Sequence, residues 1–139
     1  MEKLSSVLLV DDDSTNNFLN ELLLKRLDVA EQILVSESGT QALELLSDPA
    51  NLHNEPALIL LDVDMPGLSG VQFLEAYRQL PQGQHSATVV IMLTTTMDAS
   101  DLGRLDELGI AGLVSKPLTQ EKVDGILQLH FRRYLPTSN

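Results

Sequence analysis

The chain has 139 residues, of which 43% are hydrophobic and 21% charged, a composition that excludes wholesale disorder and predicts one globular domain, residues 1–139. It has no cysteine, which excludes disulfides, thiolate metal sites and cysteine catalysis. Its 9 basic and 20 acidic residues give a net charge of -11, which argues against direct nucleic-acid binding because phosphate recognition needs clustered positive charge.

The chain carries no sign of a membrane or export segment. Its longest apolar runs have four or five residues, as at 58–61 and 89–93, whereas a membrane-spanning helix needs about 20. The N-terminus lacks the apolar core of a signal peptide. We therefore predict a cytoplasmic protein that does not bind a membrane.

Short aliphatic runs recur along the chain, and they predict five strands. The runs are 7–10, 32–35, 57–61, 89–93 and 112–114. The first, third and fourth are apolar throughout instead of alternating, which is typical of parallel strands that are covered by helices on both faces.

A helical pattern follows each run. Polar residues that can accept hydrogen bonds from first-turn amides mark the predicted helix starts: Ser14, Ser38, Ser69, Asp98 and Thr119. Five strand–helix units in series predict a doubly wound α/β fold with a five-stranded parallel sheet and five helices. We expect a core at 6–134 and a frayed tail at 135–139.

The first helix is expected to bury an apolar face. Its hydrophobic residues recur at three- and four-residue spacings: Phe18, Leu19, Leu22, Leu23 and Leu27.

Polar and charged residues follow the strand runs directly. They are Asp11 and Asp12, Asp62 and Asp64, Thr94, and Lys116. Ligands of an open parallel sheet bind at the carboxyl ends of its strands. We therefore expect these residues to converge on one site, with the lysine at its edge.

The expected crowding of Asp11, Asp12 and Asp62 needs a cation. Like charges about 4 Å apart cost several kcal/mol at an intermediate dielectric. A magnesium ion, which takes carboxylate, carbonyl and water oxygens, is one solution, and the Lys116 ammonium is another. A carboxylate beside a metal, a lysine and a hydroxyl is suited to phosphoryl chemistry.

Each residue alone also has an ordinary structural explanation. Aspartates after strands often form turns or cap helices, and we interpret Asp13 in this way. Asp62 precedes a proline–glycine turn at 66–67. The combination of all these residues at successive strand ends favours a functional interpretation.

Four strings in the sequence resemble the receiver domain of two-component response regulators. They are VLLVDDD at 7–13, LLDVDMPGLSG at 60–70, VIMLTT at 90–95 and LVSKPL at 113–118. The resemblance covers residues 6–134. It implies a flavodoxin-like sheet with strand order 2-1-3-4-5.

The resemblance implies a role for three side chains in phosphoryl transfer. Asp62 matches the aspartate that accepts the phosphoryl group, Thr94 the switch hydroxyl, and Lys116 the lysine that pairs with the phosphoryl group. The bond between Lys116 and Pro117 is then expected to be cis. The implied phosphoryl donor is a phosphohistidine on a partner histidine kinase or phosphotransfer protein, and catalysis is limited to the chain's own phosphorylation and hydrolysis.

The resemblance also implies a metal site. Asp12, Asp62 and the backbone carbonyl of Asp64 would bind Mg²⁺ or Mn²⁺ directly, and Asp11 would bind it through water.

Phosphorylation is expected to switch the face formed by the fourth helix, fifth strand and fifth helix for binding a downstream protein target. Many receivers carry an aromatic residue three positions before the lysine, but this chain has Leu113 there. Coupling would then run through Thr94 and packing alone. Because the chain ends just after the fifth predicted helix, we expect a stand-alone receiver.

Three alternatives compete with this interpretation, and the second of them lacks two of its ligands. Asp62 and Asp64 form the Asp-x-Asp pair of a haloacid-dehalogenase-type phosphatase, although that family places the pair on the first strand. A calcium loop starting at Asp62 would need ligands where Pro66 and Phe73 stand. A receiver-like interaction module that is never phosphorylated is the third.

Overall fold

The computed structural model describes residues 3–47, 56–63, 65, 67–80, 88–95, 107 and 109–131. Within these residues strands and helices occur in the following order: β1 (Leu4–Val10), α1 (Ser14–Arg26), β2 (Ala30–Ser36), α2 (Gly39–Ser47), β3 (Leu58–Asp62), α3 (Gly70–Gln79), β4 (Val89–Thr94), β5 (Gly112–Ser115) and α4 (Gln120–His130). Of the predicted helix capped by Asp98, the structure describes only Glu107, which is helical, so the predicted fifth helix is α4 here.

The five strands form one parallel sheet in the order β2-β1-β3-β4-β5, which confirms the predicted doubly wound topology. The chain continues from β1 toward one edge of the sheet and from β3 toward the other. In sheets of this topology, a crevice lies at the carboxyl ends of the two strands where the order reverses, here β1 and β3. The register places Val10 beside Leu61 and Thr94 beside Ser115. The residues that end the strands or follow them therefore lie at one edge of the sheet.

Apolar side chains cover both faces of the sheet. Successive strand residues point to opposite faces, so Leu9, Leu60 and Ile91 enter one cluster while Leu8, Leu61 and Met92 enter the other. The first cluster also contains residues of α1 and α4, and the second contains residues of α2 and α3. This double burial explains why the central strands are apolar throughout.

In the part of the chain that is described, no helix has the length and apolar character needed to cross a membrane.

The first helix begins at a different cap from the one predicted. Asp13 is the N-cap, and its carboxylate accepts hydrogen bonds from the Thr15 and Asn16 amides at 2.9 and 3.3 Å. Ser14, which we predicted as the cap, is the first residue of the helix. Asp13 is the better cap because its carboxylate accepts two amide hydrogen bonds and its negative charge lies at the positive end of the helix dipole. The interpretation of Asp13 as a structural residue agrees with this contact.

The apolar face predicted for α1 is buried only in part. Phe18, Leu19 and Leu22 are 62%, 53% and 51% exposed, whereas Leu24 is fully buried. The helix meets the sheet along the stripe that contains Asn17 and Leu24, which are seven residues apart and therefore share a face. Leu23 and Leu27 pack against the edge of the core. The other three hydrophobic side chains lie on the outer side of the helix.

The other predicted caps within the described residues make the expected contacts. Ser38 accepts a hydrogen bond from the Gln41 amide at 3.0 Å, although the Gln41 side chain reaches the Glu37 amide and so does not close a regular capping box. Ser69 forms a complete capping box with Gln72. Thr119 accepts from the Lys122 amide at 3.3 Å. These caps satisfy amides that the first helical turn leaves without backbone partners.

Gly70 allows α3 to begin directly against the end of β3. A Cβ at this position would lie 2.7 Å from the Asp62 carbonyl oxygen and 3.0 Å from the Val63 Cα. The Gly70 amide also donates to the Val63 carbonyl at 3.1 Å. Any side chain here would displace the backbone that carries Asp62.

We predict that Gly70→Ala lowers the free energy of unfolding by about 1–3 kcal/mol, because the methyl group overpacks against backbone atoms that cannot rotate away. The matched control is Gly125→Ala in α4, where, apart from the adjoining backbone of the helix itself, no atom of the described residues lies within 4 Å of the added Cβ. That variant is expected to gain about 0.5–1 kcal/mol from reduced backbone entropy. Urea denaturation measures both changes, and equal effects would contradict the packing argument.

Candidate functional site

Four predicted site residues come together at the carboxyl edge of the sheet. Asp62 and Thr94 are the last residues of β3 and β4, and Asp11 and Lys116 directly follow β1 and β5. Asp11, Asp62 and Thr94 are all buried. Three buried polar residues and the partly exposed Lys116, each at the end of one of four neighbouring strands, therefore lie at one edge of the sheet.

The Lys116 ammonium joins two of the carboxylates. Its Nζ lies 3.1 Å from Asp62 Oδ1 and 3.3 Å from Asp11 Oδ2. Burial by itself lowers the pKa of Lys116, but the hydrogen bond to Asp62 and the charges of Asp11 and Asp62 outweigh it and leave that pKa above its usual value. The lysine is therefore charged at neutral pH.

Three carboxylates form an acidic cluster beside this lysine. Asp11, Asp12 and Asp62 each offer an oxygen, and these oxygens lie within 4.8 Å of one another. Asp12 is exposed, so the cluster is open to solvent on one side. Asp11 Oδ2 is buried, and the group that faces it within the described residues is the Lys116 ammonium at 3.3 Å. The oxygen-only donor set and its spacing fit Mg²⁺ or Mn²⁺.

Backbone hydrogen bonds hold the pocket in place. The Asp11 amide donates to Ser36 O at 3.1 Å, and the Lys116 amide donates to Thr94 O at 2.9 Å. Asp11 Oδ1 accepts from the Asp13 amide at 2.9 Å. The backbones of Asp11 and Lys116 are thus attached to the neighbouring strands β2 and β4, and the Asp11 side chain to the turn that follows it.

Asn17 is a buried residue of this region that the sequence analysis missed. Its Nδ2 donates to Asp11 O at 2.8 Å and to Ser36 O at 3.3 Å. It therefore links α1 to the ends of β1 and β2 behind the acidic cluster. Its seven-residue spacing from Leu24 would have revealed it, had the buried face of α1 been assigned correctly.

A groove of about 700 Å³ runs beside the pocket, between α1 and the loop that connects β5 to α4. Asp11 and Lys116 are among the residues that line it. Leu19 and Leu22, two of the unexpectedly exposed residues of α1, line it too.

Three parts of the predicted site need separate comment. Asp64, the predicted carbonyl ligand, lies outside the described residues. The peptide bond between Lys116 and Pro117 is cis, as predicted. Leu113 lies on β5 and is 40% exposed, and its effect on switching stays a prediction.

Sequence comparison identifies relatives over almost the whole chain. The sequence model described as the response regulator receiver domain matches residues 7–128. A probable chemotaxis protein CheY from Rhizobium etli is 30% identical over 125 residues, which cover 90% of this chain and 91% of that protein. The transcriptional regulatory protein CpxR of Escherichia coli is 35% identical over 133 residues, or 94% of this chain, but the chain spans only 50% of its length.

Structural comparison agrees with the sequence matches. The crystal structure of a two-component response regulator from Cytophaga hutchinsonii superposes with a TM-score of 0.82 at 28% identity, and the match covers 94% of this chain and 99% of that one. With the predicted sheet, the acidic cluster and the lysine all present, the chain belongs to the response regulator receiver domain family.

Proposed function

We propose that this chain is a phospho-accepting signalling receiver in which Asp62 takes a phosphoryl group from a phosphohistidine on a partner protein. The observation that carries the proposal is the position of the Asp62 carboxylate. It is buried at the end of β3, its Oδ1 is 3.1 Å from the Lys116 ammonium, and two further carboxylates offer oxygens within 4.8 Å.

The family sets the general role. Receiver domains are signalling proteins of two-component systems, they bind Mg²⁺ through acidic residues, and they interact with histidine kinases and downstream effectors. The proposal assigns these properties to particular residues of this chain.

The transfer step can be written with these residues. A carboxylate oxygen of Asp62 attacks the phosphorus, the bond between phosphorus and the donor imidazole nitrogen breaks, and its electron pair stays on that nitrogen. The product is an acyl phosphate on Asp62. Lys116, which holds Asp62 Oδ1 before the reaction, offers positive charge to the incoming oxygens. Water later cleaves the acyl phosphate and restores the carboxylate.

Asp12 and Asp62, with the backbone carbonyl of Asp64, are the residues that would hold a divalent cation directly, and Asp11 would hold it through water. When bound, such a cation neutralises charge on the transferring phosphoryl oxygens. Asp12 is the exposed member of the cluster. The cation and the phosphoryl donor would therefore approach the site from the side of Asp12.

Phosphorylation would change the charge at the end of β3 by about -1.5 to -2 and add three acceptor oxygens. Thr94 ends the neighbouring strand and can donate its hydroxyl to these oxygens, while Lys116 shifts its contacts from the carboxylate toward them. Both residues sit at the carboxyl ends of β4 and β5. The switched face would accordingly comprise β5, α4 and the predicted helix between β4 and β5, and this face would bind the downstream protein target.

The exposed side of α1 would contact the phosphoryl donor. Leu19 and Leu22 are exposed on α1 and line the same groove as Asp11 and Lys116. A phosphohistidine must approach Asp62 from solvent, and the protein that carries it would cover these apolar side chains while the two reacting atoms are in contact. Their burial supplies binding energy that a small phosphoryl donor does not use.

The first test is the intact mass of the chain after incubation with acetyl phosphate and Mg²⁺. The parent is expected to gain the mass of one phosphoryl group, and Asp62→Asn is expected to gain none because an amide is not the nucleophile. Asp28→Asn is the matched control. Asp28 is exposed and has a φ of 58°, a backbone conformation that asparagine tolerates. Equal labelling of Asp62→Asn and the parent would reject the assignment.

Mg²⁺ binding is tested by thermal unfolding. A ligand present at 100 times its dissociation constant stabilises the native state by about 2.7 kcal/mol, so the parent should unfold at a higher temperature when Mg²⁺ is added. Asp12→Asn is expected to lose most of this rise. Asp13→Asn removes the same charge from the next residue but keeps a good helix cap, and it should respond nearly as the parent does. A full rise in Asp12→Asn argues against the assigned ligand.

The donor surface is tested with a histidine-phosphorylated protein that labels the parent chain. Leu22→Glu should slow this transfer by at least tenfold, because a charge replaces apolar contact, while labelling by acetyl phosphate stays at the parent rate. Leu129→Glu is the control, since Leu129 is 75% exposed but lies on α4. Loss of transfer in both variants, or in neither, would show that the surface is misplaced.

A further inference from the structure

Lys122 makes three contacts with the loop that carries Lys116. Its Nζ donates to Ser115 O at 2.7 Å, to Ser115 Oγ at 3.2 Å and to Pro117 O at 3.0 Å. An ammonium has three N–H donors, so all of them are used on this one loop.

Helix stability does not account for this lysine. Lys122 lies in the first turn of α4, whose start is capped by Thr119. A positive charge near a helix N-terminus is unfavourable, because the backbone dipole is positive there, and Glu121 has the sign that this end favours. The three loop oxygens are what makes the position favourable for a cation.

The contacts enclose Lys116 on both sides. Ser115 O precedes it and Pro117 O follows it, while the Lys116 amide itself donates to Thr94 O at 2.9 Å. The backbone on either side of Lys116 is therefore attached to α4 and to β4 at once. This attachment sets the direction in which the Lys116 side chain leaves the loop and reaches Asp11 and Asp62.

We propose that Lys122 is a positioning residue for phosphoryl transfer, and that its contacts with Ser115 O and Pro117 O hold the Lys116 ammonium against Asp62. The inference rests on the proposed function of Asp62. Displacement of a catalytic group by about 1 Å can cost on the order of 100-fold in rate, so a tether on this loop has a measurable effect.

The experiment is a double-mutant cycle on the rate of labelling by acetyl phosphate with Mg²⁺. Lys122→Met is expected to slow labelling by about 10-fold to 100-fold. In the Lys116→Met background the same change should have no further effect, because the group that it positions is gone. Lys25→Met, which removes a lysine paired with Glu21 on α1, is the control and should label at the parent rate.

Two other roles predict different results. If Lys122 acted only through its long-range charge or through overall stability, Lys122→Met would slow labelling by the same factor in both backgrounds, and that result overturns the proposal. Lys122→Arg, which keeps charge and donors, should retain more activity than Lys122→Met. Equal losses in these two variants would also overturn it.

A failure of the proposed function has a separate outcome. If the parent is not labelled at all, the unfolding free energies of the parent, the two single variants and the double variant still report the coupling of Lys116 with Lys122. Non-additive free energies then show that Lys122 and Lys116 are coupled, and the part of the proposal that fails is the role of Asp62 as phosphoryl acceptor. Additive free energies reject the proposal that Lys122 positions Lys116.

Discussion

The contact of one ammonium group with two buried carboxylates determines how this domain can work. Asp11 and Asp62 end up side by side because their strands are neighbours, and burial prevents water from screening their charges fully. Lys116 reaches both from the edge of the sheet. The lysine that offsets the charges of the unmodified pocket is therefore already in place for the more negative group that the proposed function would put on Asp62.

The sheet provides this arrangement without a dedicated loop structure. Parallel strands end at one edge, and the order β2-β1-β3-β4-β5 places the three charged strand ends and Thr94 on adjoining strands. The hydrophobic clusters on the two faces keep those strands in register. Chemistry and stability thus depend on different parts of the same strands, the apolar interior and the polar ends.

The sheet and the pocket could be predicted because both follow from local sequence. Continuous aliphatic runs indicate strands buried on both faces, and the residues after them must lie at the carboxyl edge. The family resemblance added the roles and the strand order. The orientation of α1 could not be predicted in this way, because leucines occur all around that helix and a polar residue, Asn17, occupies part of its buried face. Neighbouring residues that can both cap a helix, Asp13 and Ser14, are similarly ambiguous.

Contacts between distant segments were also out of reach. Lys122 resembles any surface lysine in the sequence, and only the folded loop brings the oxygens of Ser115 and Pro117 to its ammonium. The position of Asp62 and Asp64 at the third strand argued against a haloacid-dehalogenase-type phosphatase. The match to the receiver family over residues 7–128 includes these two aspartates and supports the same conclusion.

The acidic cluster has a consequence for how the sequence can evolve. Three carboxylates within 4.8 Å of one another oppose folding whenever no cation offsets them. Neutral residues at these positions would make the fold more stable. Functional sites often show this conflict, because the groups that activity needs are unfavourable for stability. Neutral replacements of these acids are therefore expected to exchange cation binding for thermal stability.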